Sequence, residues 1–192
     1  MIDSYFRAPY QKILVDPLIP GLSKLNLSPA VYTWGALASG IAVLPALAWG
    51  HPVIALFLLY CSGFLDTLDG SIARYQNRTS NRGAMLDIIS DRTVESAVIL
   101  GLYAVDPLSR GWLCLFMLAS VLICVTTFLV SGIFIQQETE KSFYYSPGLM
   151  ERAEAFIFFG LMIAFPQAFT PLSILFSVLV AGTGVKRFYD LT

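Results

Sequence analysis

Long apolar runs dominate the chain, separated by short polar punctuation. The pattern predicts six helices: about Pro29 to Trp49, Pro52 to Arg74, Gly83 to Val105, Gly111 to Ile135, Ala153 to Phe165 and Pro171 to Val185. Apolar runs of about 20 residues match a hydrocarbon core of about 30 Å, so the pattern reads as an all-α membrane protein with six transmembrane helices. The fifth run is short and needs neighbours or a thinned bilayer. Ahead of the runs, Tyr5, Phe6, Ile13, Leu14 and Leu18 alternate with Asp3, Arg7, Lys12 and Asp16. That alternation predicts an N-terminal interfacial amphipathic helix lying on the membrane, broken at Pro17 and Pro20. Acids, bases and prolines interrupt it too often for the apolar core of a signal peptide. The expected division is an interfacial helix and linker over 1–28 and a six-helix domain over 29–192.

Composition sharpens this picture. Of 192 residues, 56% are hydrophobic and only 13% charged, about half the charge of an average soluble chain. A net charge of −1 selects no partner, and nothing predicts a nucleic-acid interface. The distribution of charge says more. Of the 12 Lys and Arg, all but Arg110 fall on the side shared by the two termini. The positive-inside rule then places both termini and the connector after the second run in the cytoplasm, and connectors 50–52, 106–110 and 166–170 outside. Cys61, Cys114 and Cys124 all lie in apolar runs and have no metal-type spacing. His51, the one histidine, falls on the outer side and is set aside as a surface residue, which removes any Ser-His-Asp triad. The segment Gln136 to Met150, with Phe143, Tyr144 and Tyr145, reads as a mobile flap or an ordinary connector.

The chemistry concentrates in Asp66 to Asp91, DTLDGSIARYQNRTSNRGAMLDIISD. An Asp at the centre of a membrane helix costs about 2.5–3.5 kcal/mol on insertion scales, so Asp66, Asp69, Asp87 and Asp91 need neutralising. Only Arg74, Arg78 and Arg82 lie between the two acid pairs. Carboxylate oxygens suit hard Mg²⁺ or Mn²⁺, and divalent cations are the natural counter-charge. Asp66 and Asp69 are three apart and Asp87 and Asp91 four apart, so each pair shares one helix face. Gly70 and Ala73 continue the first face with little bulk, and Arg74 adds a cation. A polar turn, Tyr75 to Arg82, then Gly83, returns the chain, so the two helices form a hairpin whose four carboxylates can converge.

These residues fill the pattern D-x2-D-G-x2-A-R-x8-G-x3-D-x3-D at every fixed position: Asp66, Asp69, Gly70, Ala73, Arg74, Gly83, Asp87 and Asp91. The pattern resembles the signature of the CDP-alcohol phosphatidyltransferases, the integral membrane synthases of phospholipids. A chance match is on the order of 10⁻¹⁰ per start position at background residue frequencies. The resemblance implies transfer of a phosphatidyl group from a CDP-lipid such as CDP-diacylglycerol to a hydroxyl acceptor, with release of CMP. It implies two divalent ions, Mg²⁺ or Mn²⁺, held by Asp66, Asp69, Asp87 and Asp91. Asp91 would also take the acceptor's proton. Asp66, Asp69, Gly70, Ala73, Arg74 and Gly83 would form the nucleotide site, and a homodimer is implied.

The acceptor is less legible. Arg152 and Arg187 resemble family positions that hold an acceptor phosphate, which favours a polyol phosphate such as glycerol 3-phosphate. Family members that use inositol phosphate resemble one another in basic residues near the end of the fourth run. Here Ser131 to Gln136 holds none, so inositol, inositol phosphate or another alcohol stands as the alternative. Positive-inside topology explains the same cations. Glu95, four residues after Asp91, reads as part of a plain helix-face ion pair. A cation transporter would also bury acids, but it should show repeated halves around a midplane site. A catalytically silent membrane subunit would be free to lose the acids, whereas every motif position is filled.

Overall fold

The computed structural model describes residues 10–135 and 148–189, and no strand occurs among them. Asp3, Tyr5, Phe6 and Arg7 of the expected interfacial helix lie outside the described residues, as do Lys141, Phe143, Tyr144 and Tyr145 of the segment read as a flap or connector. The chain divides into two compact units, Ile2–Pro107 and Leu108–Thr192.

In the first unit, a π-helical turn Gln11–Val15 and a short helix α1 (Ile19–Ser23) lead into three long helices. These are α2 (Pro29–Ala48), α3 (Pro52–Tyr75) and α4 (Asn81–Val105). Proline opens α2 and α3, where its missing N–H would have had no helical partner anyway. The same logic revises the N-terminal expectation. Pro17 falls between the two short helical pieces, but Pro20 sits in the first turn of α1 and does not break it. Val15 and Ile19 are buried with Tyr32, Leu68 and Ile72, while Ile13, Leu14 and Leu18 stay exposed.

Two left-handed residues stop the long helices. At the end of α2, Gly50 has φ +74°, and His51 N–H donates to the Ala46 carbonyl at 2.8 Å while Gly50 N–H donates to Leu47 at 3.0 Å. This is a Schellman close, with glycine where a Cβ would be strained. At the end of α3, Asn77 (φ 52°) plays the same part, and Arg78 N–H donates to the Ala73 carbonyl at 2.9 Å. The predicted turn therefore tightens to residues 76–80. Ser80 caps α4 by accepting the N–H of Gly83 at 3.1 Å, which moves the helix start to Asn81, ahead of the predicted Gly83.

Helix α2 packs along both α3 and α4. Small residues make this possible, as expected where lipid removes the hydrophobic drive between helices. A Cβ on Gly40 would strike Val94 Cγ2 and would lie 2.9 Å from Ser62 Oγ. Ser62 donates to the Ala36 carbonyl across the same seam at 2.7 Å. Near the other end of α2, a Cβ on Gly101 would lie 3.1 Å from the Leu44 Cα.

The second unit holds α5 (Pro107–Ile135), α6 (Arg152–Ala164), a 3₁₀ turn (Pro166–Ala168) and α7 (Phe169–Tyr189). Pro107 starts α5 four residues before the predicted Gly111. Helix α6 packs on α7, with Phe159 and Phe176 ring centroids 5.2 Å apart. Across α5 and α7, Gly184 lies close to Cys124. Glu151 and Glu154 form a reciprocal capping box at the start of α6. The three cysteines are free thiols.

Among the described residues, four helices are long and apolar enough to cross a membrane: Pro29–Ala48, Pro52–Tyr75, Pro107–Ile133 and Pro166–Tyr189. The other two predicted spans exist as helices but differ in character. Asp87, Asp91, Arg92 and Glu95 make the first half of α4 polar. The 13 residues of α6 extend about 20 Å at 1.5 Å per residue, short of a bilayer core.

The α2 seam makes a prediction. Gly40→Ala forces a methyl against Val94 and Ser62, an overpacking that costs about 1–3 kcal/mol. Gly21→Ala meets open space. Thermal unfolding of purified protein should fall for Gly40→Ala and hold for Gly21→Ala. Equal melting of the two variants would show that the seam is looser than described.

Candidate active site

Asp66 and Asp69 project from α3 one turn apart, and Asp87 projects from α4. One carboxylate oxygen from each of the three lies within 4.8 Å of the others. Oxygens on opposite sides of an octahedral Mg²⁺ are about 4 Å apart, so small side-chain rotations bring all three onto one ion. Burial adds to the case. Asp69 is 7% exposed, and Oδ1 of Asp66 and Oδ2 of Asp69 are sealed from solvent. Like charges gathered this closely, two of them with an oxygen shielded from water, repel one another, and a bound cation would offset that repulsion. The donor set is all hard oxygen and fits Mg²⁺ or Mn²⁺.

Asp91 follows Asp87 by one turn on α4 and is not one of the three. Its Oδ2 is 3.8 Å from the Arg92 guanidinium, which also meets Glu95 Oε1 at 2.8 Å. Glu95 is therefore held in the helix-face ion pair its spacing implied.

The remaining motif residues lie at the ends of the same two helices. The Arg74 guanidinium lies beside Gly70, where a Cβ would sit 3.4 Å from Nη1. Arg74 Nη2 donates to Ser71 Oγ at 3.2 Å, and Arg74 itself is exposed. The Ala73 carbonyl is taken by Arg78 N–H. Gly83 is exposed in the first turn of α4, its N–H on the Ser80 cap. Arg78 Nη2 also donates to Asn26 Oδ1 at 3.2 Å, tying the turn to the linker before α2.

Arg152 and Arg187 belong to the second unit. The Arg152 guanidinium carbon stands 5.4 Å from the Phe156 ring centroid, and that of Arg187 stands 5.1 Å from Phe128. Arg187 Nη1 lies 3.5 Å from Cys124 Sγ. Ahead of Arg152, the N–H groups of Leu149 and Met150 both donate to Thr183 Oγ1 on α7.

Sequence reasoning passed over Ser71, Ser80 and Thr183. Ser71 stands three residues before Arg74, and Ser80 three before Gly83, so helical spacing and cap chemistry held both signals. Thr183 receives bonds from residues more than 30 positions away, and no local pattern announces it.

The sequence model of one family, described as CDP-alcohol phosphatidyltransferase, matches residues 26–185. This chain belongs to the CDP-alcohol phosphatidyltransferase family. It is 31% identical over 201 residues to the inner membrane protein YnjF of Escherichia coli, covering 99% of this chain and 95% of that protein. It is 30% identical over 152 residues to the phosphatidylinositol phosphate synthase of Mycobacteroides abscessus, covering 79% of this chain and 68% of that protein. It is 33% identical over 97 residues to the archaetidylinositol phosphate synthase of Aeropyrum pernix, covering 50% of each. The fold matches crystal structures of the Mycobacterium tuberculosis phosphatidylinositol phosphate synthase with TM-score 0.74 at 22% identity. One covers 91% of this chain and 92% of the solved chain and has CDP-DAG bound, and the other is in complex with manganese and citrate.

As a CDP-alcohol phosphatidyltransferase the protein is an integral membrane transferase of phospholipid synthesis that uses a divalent cation. Wild-type protein should therefore bind Mn²⁺, measured by calorimetry or by Mn²⁺ electron spin resonance. Asp66→Asn, Asp69→Asn and Asp87→Asn should each weaken binding at least about tenfold, since even groups that only orient metal ligands give losses of that size. Undiminished Mn²⁺ affinity in all three variants would remove the cluster as the metal centre.

Proposed function

We propose that the protein transfers a phosphatidyl group from CDP-diacylglycerol to an inositol phosphate and releases CMP. The observation that carries the reaction class is the convergence of Asp66, Asp69 and Asp87 within 4.8 Å at the head of the α3–α4 hairpin. The acceptor revises the sequence expectation. Arg152 and Arg187 favour a polyol phosphate, and the cation-free Ser131 to Gln136 places glycerol 3-phosphate ahead of inositol phosphate on sequence alone. The relatives from Mycobacteroides abscessus and Aeropyrum pernix are named as inositol phosphate lipid synthases, and that weighs more than one cation-free stretch. Both acceptors carry a phosphate monoester, which guanidinium groups such as Arg152 and Arg187 suit.

In this reading Asp66, Asp69, Asp87 and Asp91 hold the cations, two ions for four carboxylates. When bound, they neutralise the CDP-lipid diphosphate and make its phosphorus more electrophilic. Gly70 and Ala73 keep the face of α3 low, so that the nucleotide can lie near the backbone. Arg74 adds a positive charge at the same end, and Gly83 leaves the opening of α4 clear. The acceptor hydroxyl attacks the phosphorus that bears the diacylglycerol, and the bond to the CMP oxygen breaks. Asp91 takes the hydroxyl proton. The Asp91 side chain is largely buried, with Oδ1 sealed from solvent, and a cation held beside it would raise the acidity of the alcohol it faces.

The membrane arrangement belongs to the same proposal. All six long helices cross, α4 with its acids turned toward the site and α6 in a locally thinned bilayer. Both termini and the α3–α4 turn face the cytoplasm, as the basic residues favour. Residues 1–28 approach along the membrane surface, and residues 29–192 form one catalytic domain. The active species is a homodimer, an expectation from the family resemblance.

The test is CMP release by purified protein with CDP-diacylglycerol and Mg²⁺ or Mn²⁺. The acceptor panel is inositol phosphate, inositol, glycerol 3-phosphate, serine and phosphatidylglycerol. Inositol phosphate should support release, and metal removal should stop it. Release with glycerol 3-phosphate alone would restore the earlier acceptor. Binding of CDP-diacylglycerol with no release from any acceptor would favour a silent subunit. Asp91→Asn should lower turnover about 10²–10⁴-fold, the contribution of a positioned base, while CDP-diacylglycerol still binds. Normal turnover in that variant would sink the base assignment.

A further inference from the structure

We infer that Thr183 is a positioning residue for the acceptor site, fixing Arg152 relative to Arg187; this rests on the reading of those two arginines as acceptor ligands. Thr183 is 0% exposed and sits on α7. Its hydroxyl donates to the Leu179 carbonyl at 2.9 Å and accepts from Leu149 N–H at 3.1 Å and Met150 N–H at 2.9 Å. A hydroxyl has one donor and two acceptor positions, so the bonding capacity of Thr183 is fully used.

The consequence reaches both arginines. Leu149 and Met150 run directly into the Glu151–Glu154 capping box, and Arg152 is the first residue of α6. Arg187 lies four residues after Thr183, on the same face of α7. One buried hydroxyl thus links the chain that delivers Arg152 to the helix turn that delivers Arg187. Gly148 allows the approach, since a Cβ there would strike Thr183 Cγ2. Each guanidinium stands over its own ring, Arg152 over Phe156 and Arg187 over Phe128. Recognition of a phosphate by two guanidiniums depends on their separation, so a slip of the 148–151 segment against α7 acts on the acceptor and leaves the CDP-lipid motif on α3 and α4 untouched.

The experiment is steady-state kinetics of the full chain with Thr183→Val and Thr183→Ser, using CDP-diacylglycerol with inositol phosphate, and with glycerol 3-phosphate in parallel. Valine keeps the shape and removes the hydroxyl, and serine keeps the hydroxyl. Thr183→Val should raise the KM for the phosphate-bearing acceptor about tenfold or more, with the KM for CDP-diacylglycerol within about twofold. Thr183→Ser should recover most of the loss. An unchanged acceptor KM in Thr183→Val overturns the inference, as does an equal rise in both KM values or a failure of serine to rescue. Arg187→Ala in the same assay separates the two levels. If it raises the acceptor KM while Thr183→Val does not, the acceptor reading stands and the positioning role falls. If neither variant changes the acceptor KM, both fall.

Discussion

Negative charge in a low-dielectric setting governs this structure. Asp66, Asp69 and Asp87 are close enough to repel one another, and Asp66 and Asp69 each have an oxygen shielded enough for the repulsion to matter. Helices that could drift would drift apart. The seam along α2 opposes that tendency, because it holds α3 and α4 by contacts with almost no slack. Gly40 leaves no room for a methyl beside Val94, and Ser62 is bonded to the Ala36 carbonyl at 2.7 Å. The seam fixes the helices from which the carboxylates project, and a site held by a rigid scaffold binds a cation with less ordering of its ligands. The same rigidity reaches the turn between the helices, where Asn77 closes α3 just past Arg74 and Ser80 opens α4 at Gly83's first turn.

The extent to which this was readable from the sequence follows from how local each feature is. Helix positions were legible because apolar runs and prolines are local signals, and all six predicted helices occur. Their starts were less so. Ser80 and Pro107 open α4 and α5 earlier than Gly83 and Gly111, since caps and first-turn prolines extend a helix into sequence that reads as connector. The convergence of Asp66, Asp69 and Asp87 followed from helical spacing plus a short return. Asp91 follows Asp87 by one turn on α4, as its spacing implied, with its carboxylate 3.8 Å from Arg92.

Donor and acceptor chemistry differ in legibility for a related reason. The CDP-lipid presents one diphosphate, one nucleotide and one pair of charges to satisfy, and contiguous residues on a single hairpin can do it. Such a site leaves a motif. The two arginines proposed for the acceptor have supports that come from distant positions: Phe128 and Cys124 for Arg187, and Thr183 for the approach to Arg152. Nothing in the spacing of Arg152 and Arg187 records those supports.

That difference also explains how one membrane bundle can serve several alcohols. Changing the metal cluster would remove the reaction itself, because the diphosphate of the CDP-lipid donor is the group that must be neutralised whichever alcohol attacks. The supports of the two arginines carry no such burden. A changed ring, thiol or hydroxyl around them shifts a cation by a fraction of an ångström and leaves the hairpin intact. Bidentate phosphate recognition is sensitive to displacements of that size. If Arg152 and Arg187 hold the acceptor as proposed, its choice is expected to reside in buried, individually modest residues such as Thr183 that set where the two guanidiniums stand.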